Sequence, residues 1–289
     1  MKEYDDRTLK KLQNIELEIL KDFIDLCDRH NLKYFGIAGT CIGVLRHQGF
    51  IPWDDDIDIA LPREDFEKFL KYANEELKDK YTIMNARYDS NYPLMTTRMM
   101  LKDSKFREYA LSHIDVELGI FLDIYPFDNL SDDTKKRKKQ MRQAWFYSKL
   151  LILRSIPKPV LAFKGWKAKI VHLICTIVHY GMKILGISKE KLIYKCEEAS
   201  TRHNDEVNSK YVDFLCDTTP TMNIYKRDDL FPLQKFKFED MELFFPKNMD
   251  TNLRGMYGDY MQLPPVDKRK NHFPYELKFP NEQTIYGDK

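Results

Sequence analysis

The sequence predicts an α+β fold, and three observations carry that expectation. Residues 1–130 interleave segments of helical and strand period, residues 131–205 are helical in pattern almost throughout, and residues 206–289 return to short strands and turns. The chain thus reads as a core over 1–130, a helical insertion over 131–205 and a C-terminal α+β part over 206–289 that completes a cleft. At 289 residues, with 43% hydrophobic and 32% charged residues, it can bury a full core and is not disordered. Net charge +2 gives no nucleic-acid footprint. Five scattered cysteines without metal-ligand spacing, and a start without an apolar signal region, predict a cytoplasmic protein rather than a disulfide framework.

The first element is a helix. Leu9, Leu12, Ile15, Ile19, Phe23 and Leu26 recur at three- and four-residue steps, from a cap at Thr8 to a left-handed stop near His30-Asn31. It is expected to cover one face of a sheet. Tyr34 to Ala38 reads as a short strand, and Gly39-Thr40 as a tight turn into a short helix from Cys41 to His47. Glycine lets a backbone approach a ligand closely, and a helix N-terminus offers free N–H groups to a phosphate.

The stretch Trp53-Asp54-Asp55-Asp56-Ile57-Asp58-Ile59-Ala60-Leu61 is the most informative. Ile57, Ile59 and Leu61 alternate with Asp56, Asp58 and Ala60, the period of a strand, so Asp56 and Asp58 share a face with Asp54 in line behind them. Unit charges about 4 Å apart repel by roughly 4 kcal/mol at an effective dielectric near 20. Carboxylates so placed beside a core call for a cation, and oxygen ligands with room for phosphate suit Mg²⁺. An acidic strand end exposed to solvent is the plainer alternative, and the flanking apolar residues weigh against it.

Pro62 begins the next helix, with Glu64, Asp65 and Glu67 near its positive end and Phe66, Phe69, Leu70 and Ala73 on its buried face. Tyr81 to Asn85 and Met95 to Leu101 read as strands. Arg98 in the second is either an edge-strand arginine or a bidentate phosphate clamp, with Lys102 on the same face. Gly119 to Tyr125 is a further strand whose only charge, Asp123 between Leu122 and Ile124, must be paired, protonated or metal-bound.

Ser131 to Arg142 is a cationic helical run, and Leu150 to Ile156 and Val160 to Ile187 are rich in Leu, Ile and Val. From Ile170 to Met182 there is no charged residue, but that run is too short to span a bilayer. A helical wheel gathers Lys164, His172, His179 and Lys183 on one side and Val171, Ile174, Val178 and Leu185 on the other. Two readings stay open: a helix packed into the protein, or one lying on the inner membrane surface with its basic face outward, helped by Trp166, Lys167 and Lys169. Leu233 to Phe238 and Met241 to Phe245 form a hairpin around Glu239-Asp240. Asn248 or Asp250 caps a short helix that Gly258 stops, and Lys268, Arg269, Lys270 and His272 follow as a solvated tail or a border of the cleft. His113 is read as structural.

Gly39-Thr40 followed by Arg46-His47-Gln48-Gly49-Phe50-Ile51-Pro52-Trp53-Asp54-Asp55-Asp56-Ile57-Asp58 resembles the LicD family. Phe121 to Asp128 and Tyr257 to Pro265 match as well. That family includes bacterial phosphocholine transferases and is related to the eukaryotic fukutin-type ribitol-phosphate transferases. The resemblance implies a nucleotidyltransferase-like mixed sheet with helices on its faces, and catalytic roles for Asp56, Asp58 and Asp123. It implies Mg²⁺ or Mn²⁺ held by Asp54, Asp56, Asp58 and Asp123, with Asp123 as ligand or as base. Gly39, Thr40, Arg46, His47, Trp53, Arg98 and Lys102 would border a nucleotide-activated donor such as CDP-choline. The acceptor would be a glycan or lipid-linked glycan of the cell surface, such as teichoic acid, lipopolysaccharide or capsule. A choline cargo would need an aromatic cage, for which Trp53 and Tyr125 are candidates. Transfer of ribitol phosphate or glycerol phosphate, true nucleotidyl transfer, and a metal-free scaffold are the competing readings.

Overall fold

The structure, a computed structural model, describes residues 4–287 apart from 162, 218–223, 267, 268 and 270. Lys268 and Lys270, expected near the cleft, lie outside the described residues. In chain order the elements are α1 (Asp6–Arg29), β1 (Phe35–Gly36), α2 (Ala38–His47), β2 (Asp58–Pro62), α3 (Arg63–Glu76), β3 (Tyr81–Met84), β4 (Thr97–Leu101) and β5 (Lys105–Arg107). Then come β6 (Phe121–Leu130), α4 (Thr134–Ser155), α5 (Trp166–Ile184), α6 (Lys189–Ser200), β7 (Tyr211–Asp213), β8 (Tyr225–Lys226) and the one-turn α7 (Arg227–Leu230). The chain closes with β9 (Gln234–Phe238), β10 (Met241–Phe245), α8 (Asp250–Tyr257), β11 (Glu276–Lys278) and β12 (Ile285–Tyr286).

The central sheet is mixed, in the order β1-β2-β6-β4-β3, with β7 and β8 continuing from the far half of β6. Only β2 and β6 run parallel, and their register sets Asp58 beside Asp123. β4 runs antiparallel to β6 and sets Arg98 beside the same Asp123. The sheet is long at β6, which carries ten residues because it pairs with β2 and β4 at one end and β7 at the other.

Alternation along the strands divides the core. Ile59, Leu61, Leu122 and Ile124 pack with Leu12, Ile19, Phe23, Phe66 and Phe69 of α1 and α3. Ala60, Phe35 and Phe127 face the other way, onto Leu151 of α4, Met182 of α5, and Leu192 and Cys196 of α6. The result is a sheet between two helical layers, the arrangement that buries both faces. The helical insertion forms much of one layer, and Arg63 fastens it. Its guanidinium donates to both oxygens of Asp128 on β6, at 2.8 and 2.7 Å, and to Glu197 on α6 at 3.1 Å.

Several local expectations change. Asp5, not Thr8, caps α1, accepting the Thr8 N–H at 2.9 Å, because Thr8 is already inside the helix. Strand β2 begins at Asp58 rather than Asp56, since residues 54–56 lie in the turn that leads into it. The residue before α8 is Met249, without a side-chain cap; the Asn248 amide instead donates to Asp229. The His172 and His179 side of α5 faces protein, not solvent: His179 is buried and hydrogen-bonds the Leu153 carbonyl.

Gly43 lies inside α2, where alanine would ordinarily raise helix stability by up to about 1 kcal/mol. Here an added Cβ would meet the Gly49 carbonyl oxygen at 2.3 Å. Gly43→Ala is therefore expected to lower stability by roughly 1–3 kcal/mol. Gly181→Ala on α5, with nothing within 4 Å, is expected to raise it by about 0.5–1 kcal/mol. Urea unfolding of both variants checks the pair of signs.

Candidate active site

The acids come together because three backbone segments end at one place. The turn before β2 supplies Asp54 and Asp56, β2 opens on Asp58, and β6 carries Asp123 beside it. The Asp54 N–H donates to the Ile51 carbonyl at 2.9 Å, and its own carbonyl accepts from Gln13 of α1 at 2.9 Å, so the turn is braced from both sides. Thr40 Oγ1 accepts the Asp58 N–H at 2.9 Å. Thr40 therefore holds the strand in place rather than facing a ligand. Tyr125, two residues beyond Asp123, donates its hydroxyl to Asp58 Oδ1 at 3.0 Å.

Electrostatically the group is frustrated. Burial raises the Asp58 carboxyl well above the usual range, and Asp56 and Asp123 push it further. Asp54 is raised in the same way by burial, then by Asp56 and Asp55. Asp56 is raised by burial, against the opposing pull of His272. Glu16 of α1 is buried nearby, with Oε2 lacking a partner among the described residues, and burial, then Asp55 and Asp56, pushes its carboxyl well above the usual range. Carboxyls that cannot ionise together are the mark of a site short of positive charge.

Two internal cations offset part of this deficit. His272 reaches in from the C-terminal segment, with Nδ1 3.1 Å from Asp55 Oδ1 and 3.7 Å from Asp56 Oδ2. The hydrogen bond to Asp55 pushes its imidazole up to about 10. Arg98 is the second cation. Its Nε donates to Asp123 Oδ1 at 3.0 Å while its two terminal nitrogens take Glu108, and its plane lies 3.8 Å from the centre of the Phe121 ring. Burial raises Asp123 to about 6 despite Arg98.

Asp54, Asp56 and His272 each bring one ligand atom to within 4.8 Å of the others. Carboxylate oxygens are the donor chemistry of a divalent cation and the excess of buried negative charge fits one; the His272 imidazole would join them only by giving up the proton it carries here. Beside the acids opens a cleft of about 560 Å³, of a size that holds small ligands. Its wall includes Ala38, Gly39, Arg46, Trp53, Asp54, Asp56, Asp58, Tyr257 and Tyr260. No side chain caps α2 at Ile37, and Ile37, Ala38 and Gly39 at its start line that wall.

The remaining expected residues are distributed unevenly. Asp123 sits directly behind Asp58, reached through β6. His47 is turned toward Arg46, accepting its Nε–H at 2.9 Å, and meets Trp53 edge-on. Arg98 is neither an edge-strand arginine nor a free phosphate clamp, since β4 lies between β3 and β6 and both ends of its guanidinium are engaged. Lys102 lies past the end of β4 beside a separate hollow lined by Thr82, Asp89 and Gly119. Trp53 already carries the Arg269 guanidinium 4.6 Å from its ring centre, which occupies a face that a cage would need. Tyr125 packs edge-on against Phe214 and is tied to Asp58.

Glu16, Asp55, Glu108 and Tyr257 were not singled out from the sequence. Asp55 is buried and accepts from Tyr4 Oη at 2.8 Å and from the His272 N–H at 2.9 Å, so it joins both chain ends to the site. Glu16 did leave a signal, an acid four residues after Leu12 on the buried stripe of α1. Glu108 left none, because its partner lies across a β-turn and on another strand.

Residues 31–153 match the family model described as LicD/FKTN/FKRP, nucleotidyltransferase domain. Over 279 residues the chain is 26% identical to the lipopolysaccharide cholinephosphotransferase LicD of Haemophilus influenzae, covering 92% of this chain and 96% of that protein. Uncharacterized proteins of Rickettsia prowazekii and Rickettsia typhi are 46% identical over 48 residues, 17% of this chain and 18% and 16% of theirs.

Removing Arg98 strands the buried Asp123 carboxylate and the half-buried Glu108. Arg98→Met is expected to lower stability by about 3–5 kcal/mol, the range for breaking a buried ion pair from one side. Lys102→Ala, on the surface, is expected to stay within about 0.5 kcal/mol of wild type. Chemical denaturation of the two variants decides whether Arg98 is the structural cation described above.

Proposed function

The chain carries a nucleotidyltransferase domain of the LicD family, and on that basis we propose that it is a metal-dependent transferase of phosphocholine from CDP-choline to a sugar hydroxyl of a cell-surface glycan. The observation that carries the reading is the convergence of Asp54, Asp56, Asp58 and His272 on one wall of a ligand-sized cleft, with Asp123 next to Asp58. Full-length similarity to a relative named as a cholinephosphotransferase supports the cargo.

Asp54 and Asp56 would hold the cation, with Asp58 and Asp123 beside them; Mg²⁺ or Mn²⁺ fits an oxygen-rich set. When bound, it would neutralise donor phosphate oxygens and the charge that develops on the leaving phosphate. The uncapped start of α2 and Arg46 at the rim bind and orient the donor phosphates. Asp123, with a carboxyl held near pH 6, takes the proton of the acceptor hydroxyl. The hydroxyl oxygen then bonds to the choline-bearing phosphorus as its bond to the CMP oxygen breaks. Arg98 fixes the Asp123 carboxylate, so it acts through that residue. Tyr257, exposed on the cleft wall near the acids, takes over the role of receiving the choline ammonium that Trp53 and Tyr125 were expected to play.

Incubation with CDP-choline, CDP-ribitol or CTP, with release of CMP and pyrophosphate followed separately, tests the cargo and the bond broken. CMP release from CDP-choline alone is expected, and EDTA should abolish it. Asp56→Ala and Asp58→Ala should each lower the rate on the order of 10²–10³-fold with the fold retained. Pyrophosphate release from CTP would replace this reading with nucleotidyl transfer.

A further inference from the structure

The outward face of α5 is apolar and has nothing packed on it among the described residues. Trp166, Ile170, Leu173, Ile174, Ile177 and Ile184 are all exposed, Trp166 at 68% and Ile184 at 85%. At 100° per residue they fall within an arc of about 100°, along a ridge of about 27 Å. The opposite face, Ala168, His179 and Met182, is buried against the protein. The amphipathicity is therefore inverted relative to a surface helix of a soluble domain, whose apolar stripe faces the core. A ridge of this kind marks an interaction surface.

Charge identifies its partner. From Thr134 to Ser188 the sequence holds thirteen Lys and Arg and no Asp or Glu. Lys158, Lys164, Lys167, Lys169 and Lys183 are exposed around α5. A second copy of the chain, docked by a two-fold axis on the same ridge, would bring these lysines against each other. An anionic bilayer meets both requirements, accepting the apolar ridge and neutralising its lysine border. Trp166 at the start of the helix is the amphipathic ring that settles at headgroup level, and the exposed Phe163 just before it adds apolar surface. Among the described residues no single helix is long and apolar enough to cross a membrane. By length and composition α5 passes only together with the segment after it, bent from it by 105°, and α6 there is packed into the core, which favours contact with the surface.

We propose that α5 is an in-plane docking helix that binds the protein reversibly to anionic lipid surfaces through the ridge from Trp166 to Ile184. The expected orientation has the apolar side toward lipid and the histidine side toward the protein, opposite to a basic-face-outward arrangement. This inference does not depend on the transferase reading.

Co-sedimentation of the full chain with phosphatidylcholine vesicles, with and without phosphatidylglycerol, tests it. Wild type should pellet with the anionic vesicles at low salt and lose most of that binding at high salt. Lys164→Glu, Lys167→Glu and Lys169→Glu combined should weaken binding on the order of a hundredfold. The exposed set Ile170→Ser, Leu173→Ser and Ile177→Ser should abolish it while circular dichroism and thermal unfolding stay as in wild type. Wild type left in the supernatant at low salt overturns the proposal. So does equal binding to vesicles without phosphatidylglycerol. A wild-type dimer in sedimentation equilibrium that the serine variant converts to monomer would assign the ridge to self-association instead.

Discussion

The parallel pairing of β2 with β6 is the constraint around which the molecule is arranged. It sets Asp58 beside Asp123 at a point where both strands are buried, and β4 brings Arg98 to the same rung. Two carboxylates at that spacing repel by several kcal/mol inside a protein. One guanidinium, shared with Glu108, cannot balance Asp54, Asp56, Asp58 and Asp123 together. The cleft, the imidazole drawn in at His272 and the cation-binding character of the wall all follow from that imbalance. A scaffold without ligand would have little reason to keep it.

Much of the site was legible because its signals are local. The alternation of Ile57, Ile59 and Leu61 with acids required a strand, and the single charge at Asp123 required a buried carboxyl with a partner. Helices α1 and α3 were legible from apolar period and from Pro62, whereas the single helix α4 was read as a cationic run over Ser131 to Arg142 and a separate apolar run over Leu150 to Ile156. What the sequence could not display were partners supplied by distant segments. Arg98 looked like a free cation because Glu108, which takes up its terminal nitrogens, has no periodic relation to it. Thr40 looked like a phosphate contact, whereas its hydroxyl is used by the Asp58 backbone. For α5 the wheel was readable, but not which side the rest of the protein would cover; the hydrogen bond from His179 to the Leu153 carbonyl decides that.

The helical insertion is joined to the sheet by charge as well as by packing. Arg63 opens α3 directly after the acidic strand ends at Pro62 and reaches Asp128 on β6 and Glu197 on α6. Asn204 adds a 2.7 Å hydrogen bond to the same Asp128. A bidentate pair of this kind fixes orientation more strictly than apolar contact does. The layer that carries the exposed ridge of α5 is thus held in a defined attitude to the strands that carry the acids.

The way Asp55 engages His272 has a consequence for how the protein is made. Asp54, Asp56 and Asp58 are in the nascent chain once residue 58 has been added, Asp123 joins them when β6 is made, and the imidazole that offsets them comes 214 residues after Asp58. At bacterial-type elongation rates of about 5–20 residues per second, that interval is roughly 10–40 s. Until then Arg98, once β4 has been made, offsets part of the charge, and the segment carrying Asp54 to Asp56 lacks the backbone N–H of residue 272 that Asp55 accepts. The sheet can therefore form during translation while its carboxylate wall stays open to water. Closure of that wall waits for the segment around residue 272 to emerge, which makes its docking on Asp55 the step that completes the cleft.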